Sequence, residues 1–389
     1  MNKTILLTSI TIADAKKGSM VGDLFIENGK ITEAAPSLQK QADIHIDAAN
    51  KNWIAMPGFI DVHIHGAAGF DVMDATPEAL NGMASALPRE GTTSFLATTM
   101  TQSEQAISRA LDNASQFASS VGQAEMLGVH LEGPFISTKR PGAQPVEHIA
   151  VPSVSLFEKW QRQSGNRIRL VTAAPEVENG FAFIKNVSKS GVIASIGHSD
   201  ATFEEVQEAL EAGASHVTHL YNQMSPLHHR NPGVVGAALL EKKLMAEVIA
   251  DFIHSHPKSV ELAFRQKGAE GMLLITDAMR AKGLEPGVYD LGGQDVHVTE
   301  KDARLPDGTL AGSILTMETA VKNVAEVTGC SVSELVAMTS ANAAAEFGFA
   351  NKGSLEIGKD ADIAILDEHF NVQLTICRGA IAYSKEELA

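Results

Sequence analysis

Six side chains in this sequence belong to the types that bind transition metals, and each stands at or near the end of an apolar run. His63 and His65 lie in Gly58-Phe59-Ile60-Asp61-Val62-His63-Ile64-His65-Gly66. In an extended strand, residues two apart face the same way, so both imidazoles project together while Ile60, Val62 and Ile64 project oppositely. Glu132 ends Val129-His130-Leu131-Glu132 just before Gly133-Pro134; His198 closes Ile193-Ala194-Ser195-Ile196-Gly197, His219 closes Val217-Thr218, and Asp277 closes Leu273-Leu274-Ile275-Thr276. Nitrogen and carboxylate donors of this kind suit zinc, or iron, manganese, cobalt or nickel, rather than calcium or magnesium. Any one of the six alone reads as a satisfied polar residue near a loop. Six together point to a shared divalent ion, and their convergence on one mouth is the expectation.

That convergence needs a particular scaffold. Strand-like runs occur at 59–65, 92–98, 126–132, 168–173, 192–198, 215–219, 247–251 and 272–277, with amphipathic stretches between most of them. In the stretch 202–212, Thr202 and Glu205 match a capping box. Strict strand–helix alternation with eight strands predicts an α/β fold, a (β/α)8 TIM-like barrel with catalytic groups at the carboxyl ends of its strands. An open doubly wound sheet is the competing architecture, disfavoured because no Gly-x-Gly-x-x-Gly follows an early strand.

The flanks read differently. Short alternating runs fill residues 3–47, with Asn28-Gly29 as a hairpin turn, and alternation resumes at 362–366 and 372–376 after helices at 316–327 and 333–347. Neither flank can bury a core alone, so residues 1–55 and 354–389 are expected to join into one small β-sandwich domain beside a catalytic barrel of residues 56–353.

Composition narrows the classes. With 389 residues, 44% hydrophobic and 20% charged, the chain has an ordinary globular composition, and a barrel can occupy most of it. A net charge of −16, without basic runs, argues against nucleic acid or an anionic membrane as partner. No apolar run approaches signal-peptide or membrane-spanning form, and the two cysteines, Cys330 and Cys377, are far apart. A cytoplasmic protein without disulfides or a thiolate metal site is expected.

Not every histidine is a candidate. Of 14, His130 and His216 are expected to be core or structural, and His45, His297 and His369 lie outside the mouth. His228, His229, Arg230 and His254, with Lys139 and Arg140, place donors in loops after three of the strands, where a phosphate on the substrate would account for them. For Lys139 and Arg140 a solvated loop is the preferred reading. Residues 137–152 form a long loop rich in proline, a candidate lid.

These segments together, with His130-Leu131-Glu132-Gly133-Pro134-Phe135, Gly197-His198-Ser199, His219-Leu220-Tyr221-Asn222, Thr276-Asp277-Ala278 and Leu310-Ala311-Gly312-Ser313, resemble the N-acetylglucosamine-6-phosphate deacetylase family of the amidohydrolase superfamily. The resemblance runs from Pro57 to Leu366 in the same order. It implies that Glu132, His198 and His219 hold the principal ion, most of all Zn2+, with Glu132 where many superfamily relatives use a modified lysine. His63 and His65 imply that a second ion can bind, shared through Glu132. The resemblance further implies proton handling by Asp277 and binding of the sugar phosphate by Asn222, Gln223, Arg230 and His254, with Ala143, Gln144, Leu310 and Gly312 as further substrate-binding positions. Arg230 is expected to act across a homodimer. Gln144 stands where some members carry a histidine near the substrate amide. The neighbouring readings are N-acetylgalactosamine 6-phosphate deacetylation, cyclic amide hydrolysis on the same scaffold and, more distant, a non-catalytic barrel.

Overall fold

The computed structural model describes residues 3–386. Eight strands, Phe59–Ile64, Thr92–Thr99, Glu125–Glu132, Ile168–Ala173, Ile193–Ile196, His216–Val217, Met245–Ile249 and Met272–Ile275, lie side by side in chain order and run parallel. All eight expected runs are therefore strands. The ring closes where the Asp277 N–H donates to His63 O at 2.8 Å and the His65 N–H to Ala278 O at 2.9 Å. Every residue of Phe59–Ile64 and Thr92–Thr99 is buried, because helices cover the outside of the barrel while side chains fill its interior.

Several helices between the strands start at a hydroxyl cap, Thr76, Ser103, Ser153 and Thr202 among them. Thr202 accepts from the Glu205 N–H while the Glu205 carboxylate accepts from the Thr202 N–H, so the expected capping box opens Phe203–Ala212. The expected helix at 333–347 is interrupted by a π-turn at Ala337–Ala341. Its Ser340 hydroxyl contacts Pro57 O and Gly58 O, each at 3.1 Å, at the entrance to the first barrel strand.

The two flanks form one eight-stranded sheet. Strand Ile363–Leu366 pairs antiparallel with Ile54–Pro57, joining Val372–Cys377 and Ala380–Ser384 to the amino-terminal strands. Strand Ile5–Asp14 changes neighbour along its length, from Ile44–Asp47 to Ile54–Pro57, with Ser9 between them at φ +58°. The sheet thus forks around a separate core that includes Ile10, Leu24, Ile26, Trp53, Ile365 and Leu374. Asn28 and Gly29, at φ +53° and +79°, make the two-residue turn between Gly18–Glu27 and Lys30–Ala35.

One element was not foreseen. Strands Gly287–Leu291, Gln294–Val298 and Ala303–Arg304 form a small antiparallel sheet after the last barrel strand. Leu291, Val296 and Val298 pack on Met100 and Met279 in a third core. Gln294 Nε2 donates to Ala143 O at 2.8 Å and Gln102 Nε2 to Gly292 O at 2.7 Å, which ties this sheet to the loops after the second and third barrel strands. It covers the barrel mouth together with the 137–152 loop.

Candidate metal centre and active site

The six singled-out side chains meet at the carboxyl ends of the barrel strands, but not all are strand residues. Glu132 ends its strand and His63 lies within one, whereas His198, His219 and Asp277 each sit two residues beyond the last strand residue. All three have positive φ, +49°, +31° and +48°, in the left-handed region that costs a non-glycine residue. Gln223 adopts the same conformation at +49° and Tyr221 has φ +82°. Extended strands to 198, 219 and 277 were expected. Instead, a left-handed kink at each position aims the side chain into the mouth, and the pleat does not.

Glu132 Oε1 lies 3.3 Å from His198 Nε2, 3.3 Å from His219 Nε2 and 3.4 Å from His63 Nε2. Its other oxygen, Oε2, lies 3.2 Å from His65 Nε2, and Asp277 Oδ1 lies 3.3 Å from His65 Nε2 and 3.5 Å from His63 Nε2. Elsewhere in the protein a hydrogen-bonded histidine sits closer to its carboxylate, as His254 Nδ1 does to Asp251 Oδ2 at 2.6 Å. An ion with ligands at about 2.0–2.2 Å in tetrahedral array separates them by roughly 3.3–3.6 Å, close to the spacing of the mouth, where His198 Nε2 and His219 Nε2 stand 3.1 Å apart. Two donor sets result, Glu132 with His198 and His219, and His63 with His65 and Asp277, each with ligand atoms within 4.8 Å of one another.

Ring orientation agrees. Nδ1 of His198 contacts the Arg140 carbonyl at 2.9 Å and Nδ1 of His63 contacts Glu247 Oε2 at 2.9 Å. With Nδ1 the donor in each, Nε2 carries the lone pair towards the centre. Nε2 of His63 is buried and has no hydrogen-bond partner among the described residues. A divalent ion is what such an atom fits.

Electrostatics show how strongly the mouth favours positive charge, a proton or an ion. Burial pushes the Glu132 carboxyl up, but His63, His198 and His219 outweigh it and hold the group well below the usual range. For His65, burial lowers the imidazole and the Asp277 and Glu132 carboxylates more than offset it, pushing it up to about 10. His63 is likewise raised well above its ordinary value by Asp277, Glu132 and Glu247 against its burial. Two buried carboxylates thus draw positive charge into the mouth, and no lysine or arginine is paired with either among the described residues.

A cavity of about 380 Å³ opens above the cluster. It lies within the range of about 300–1,000 Å³ typical of small-molecule sites. Its lining includes Ala143, Gln144, Asn222, Gln223, His254, Leu310 and Gly312, so every sequence-predicted substrate position but one faces it. The exception is Arg230, on an exposed loop with its Nη1 2.7 Å from His229 Nε2. Lys139 and Arg140 pair with Asp200. Gln144 does more than line the wall: its Nε2 donates to Glu132 Oε2 at 2.8 Å while its Oε1 accepts from the Thr101 N–H.

His130 and His216 are core residues, as expected. His130 Nε2 contacts Thr172 Oγ1 at 2.7 Å, and burial holds its imidazole well below the ordinary value. His216 bridges Glu247 Oε1 at 3.1 Å and Glu346 Oε1 at 2.9 Å. Several residues at the site escaped the sequence reading: Glu247; Leu291 and Arg304 of the covering sheet; and Met100, Gly308 and Thr309, the last five of which line the cavity. A lone carboxylate within Met245-Ala246-Glu247-Val248-Ile249 was the available signal for the first. Gly292-Gly293, between two alternating runs, was the signal for Leu291 and Arg304.

Comparison with known proteins decides the kinship. The model of the amidohydrolase family matches residues 54–382. The chain belongs to this family. Over 379 residues it is 50% identical to the N-acetylglucosamine-6-phosphate deacetylase of Lysinibacillus sphaericus, covering 97% of each chain. It is 48% identical over 392 residues to the N-acetylglucosamine-6-phosphate deacetylase of Bacillus subtilis (strain 168), covering 100% of this chain and 99% of that one. A solved structure of a mutant N-acetyl-D-glucosamine-6-phosphate deacetylase from Mycobacterium smegmatis, in complex with N-acetyl-D-glucosamine-6-phosphate, matches with a TM-score of 0.91 and 28% identity over 98% of this chain and 100% of that chain. Kinship this close makes the chain an enzyme, a hydrolase, and sets aside the non-catalytic barrel. No helix among the described residues is long and apolar enough to cross a membrane.

Proposed function

We infer that this enzyme hydrolyses the acetamide of N-acetyl-D-glucosamine 6-phosphate, releasing acetate and D-glucosamine 6-phosphate. The observation that carries the reading is the pair of adjoining donor sets beneath one cavity, with Glu132 of the first also 3.4 Å from His63 Nε2 and 3.2 Å from His65 Nε2 of the second. Glu132, His198 and His219 would hold the principal ion, and His63, His65 and Asp277 with Glu132 would hold a second. Nitrogen-rich donors of this type favour Zn2+, with Fe2+, Mn2+, Co2+ or Ni2+ as competitors. Such an ion supplies an activated water at neutral pH and a Lewis acid for the acetyl oxygen.

The chain's own groups do the rest. Burial pushes the Asp277 carboxyl up, but His63 and His65 outweigh it and leave it below the usual range. Asp277 accepts the proton of the attacking water and delivers it to the departing sugar nitrogen, so the amine leaves neutral. Asn222, Gln223 and His254 hold the sugar phosphate; Asp251 fixes His254 through Nδ1 and leaves Nε2 to face the ligand. Contacts far from the scissile bond hold the amide in register with the centre. Arg230, exposed and outside its own cavity, suits reach into a neighbouring subunit of a homodimer. Residues 56–353 are the catalytic unit, with 1–55 and 354–389 as the small β domain. A phosphorylated sugar is retained behind membranes because its charge is costly to bury, which supports the cytoplasm as the compartment.

Acetate release by zinc-loaded protein, compared across N-acetylglucosamine 6-phosphate, the unphosphorylated sugar and the galactosamine epimer, tests this. A preference for the phosphorylated glucosamine is expected. Equal rates with and without phosphate overturn the substrate assignment.

A further inference from the structure

Behind the mouth lies a buried carboxylate that the reaction above does not use. Glu247, fully buried in the seventh barrel strand, makes three contacts. Its Oε2 lies 2.9 Å from His63 Nδ1 and accepts from the His219 N–H at 3.1 Å. Its Oε1 lies 3.1 Å from His216 Nε2, whose Nδ1 meets Glu346 Oε1 at 2.9 Å. Glu346, His216, Glu247 and His63 thus form one continuous file from the end of a late helix to the metal cluster.

We propose that Glu247 is the positioning residue for the second-ion half of the centre: by holding His63 Nδ1–H it presents the Nε2 lone pair to the His63, His65 and Asp277 donor set. This rests on the proposed two-ion site. A neutral imidazole has one donor and one acceptor nitrogen, and a carboxylate on Nδ1 decides which is which. It also fixes the ring's rotation and strengthens the far nitrogen as a donor. The His130 ring, 4.5 Å away and nearly perpendicular at 84°, limits tilting of His63 on another side. Through the His219 N–H the same carboxylate steadies the kink that places a ligand of the principal ion, so one residue braces both halves.

Another reading would make Glu247 a metal ligand itself, since His63, His130 and Glu247 also have donor atoms within 4.8 Å. The contacts argue against it. Both Glu247 oxygens are engaged, and 2.9 Å between His63 Nδ1 and Oε2 is a hydrogen-bond length, shorter than ligand edges of roughly 3.3–3.6 Å.

The test is a cobalt titration of metal-free protein, wild type against E247Q, reading ions bound per chain and each dissociation constant by competition with a chelator. Two ions are expected in the wild type. E247Q should keep the first within a few-fold and bind the second about 10- to 100-fold more weakly. In an H63N background, already short of the second ion, E247Q should weaken the first ion by no more than the few-fold it costs alone. That result separates action through His63 from general loosening of the core. Two ions bound unchanged by E247Q, or an equal loss in the H63N background, overturns the proposal while leaving the two-ion site intact. A wild type that binds one ion or none overturns the two-ion reading and the proposal with it. Should E247Q fail to fold, H216Q supplies the second variant, because it removes the partner that holds Glu247 Oε1; a weakened second ion supports the file and an unchanged one overturns it.

Discussion

Two clusters of carboxylates, one buried and one half-buried, sit at opposite ends of the barrel and resolve their charge differently. At the junction with the terminal sheet, Glu125, Asp360 and Asp362 surround Lys352 Nζ at 2.5, 3.0 and 2.6 Å. The chain supplies its own cation there. At the mouth, Glu132 and Asp277 face imidazoles at 3.2–3.5 Å and, on Glu132, the neutral Gln144 amide at 2.8 Å, and three of the residues that build it are held in left-handed backbone. Both clusters have the donor spacing of a metal site, although Glu125 and Asp360 are only half-buried whereas the donors of the mouth are all buried. The resident ammonium sets them apart in charge. A cluster that carries its own cation is a structural joint between two cores, whereas one walled by neutral-capable nitrogens needs positive charge from outside. Position agrees with the distinction, because the amino-terminal face of such a barrel serves stability and the carboxyl-terminal face serves chemistry.

This contrast can be broken from either end. The largest effect expected on activity is from Asp277→Asn, which keeps shape but removes the proton acceptor. Its kcat should fall by about 10²–10⁴-fold with the principal ion still bound. Rapid turnover by this variant would remove Asp277 from the reaction. At the other end, Lys352→Met strips the ammonium from three carboxylates and should lower unfolding free energy by about 3–5 kcal/mol in a urea titration, with kcat in the folded protein unchanged. A loss of turnover equal to the loss of stability would mean that the two clusters are not independent.

A smaller and more gradual effect comes from the intermediate case, His216, which is a cation of the chain but lies just behind the mouth. Burial lowers its imidazole, and Glu346 and Glu247 more than offset this, raising it to about 10. A raised folded value means that the stabilisation is complete below an unfolded value of about 6.5 and is lost as pH rises through the folded one. The melting temperature should therefore decline between about pH 6.5 and 10, and His216→Gln should flatten that slope. Parallel slopes in the two proteins would show that His216 does not carry it.

Much of this arrangement was readable before any coordinates. Parallel barrel strands are buried on both faces and so appear as apolar runs, and the Thr202–Glu205 box and the Asn28-Gly29 turn are local chemistry that acts where it is written. The ligand types were visible for the same reason, since each terminates such a run. The kinks at His198, His219 and Asp277 were not, because no glycine marks them and tertiary contacts impose the left-handed backbone. Glu247 was invisible as a partner because His63 lies 184 residues away in the chain. The covering sheet was different: Gly292 and Gly293, at φ +61° and +84°, wrote a hairpin turn that strand–helix alternation masked.

Whether the mouth depends on an external cation is decided most directly by removing it. Protein stripped with a chelator and dialysed should release no acetate from N-acetylglucosamine 6-phosphate, and stepwise zinc should restore the rate until the centre is filled. Glu132→Gln, which loses the carboxylate of the first donor set that also stands against His63 and His65 of the second, should stay inactive throughout. Full activity in the stripped protein, or in Glu132→Gln, would contradict the account.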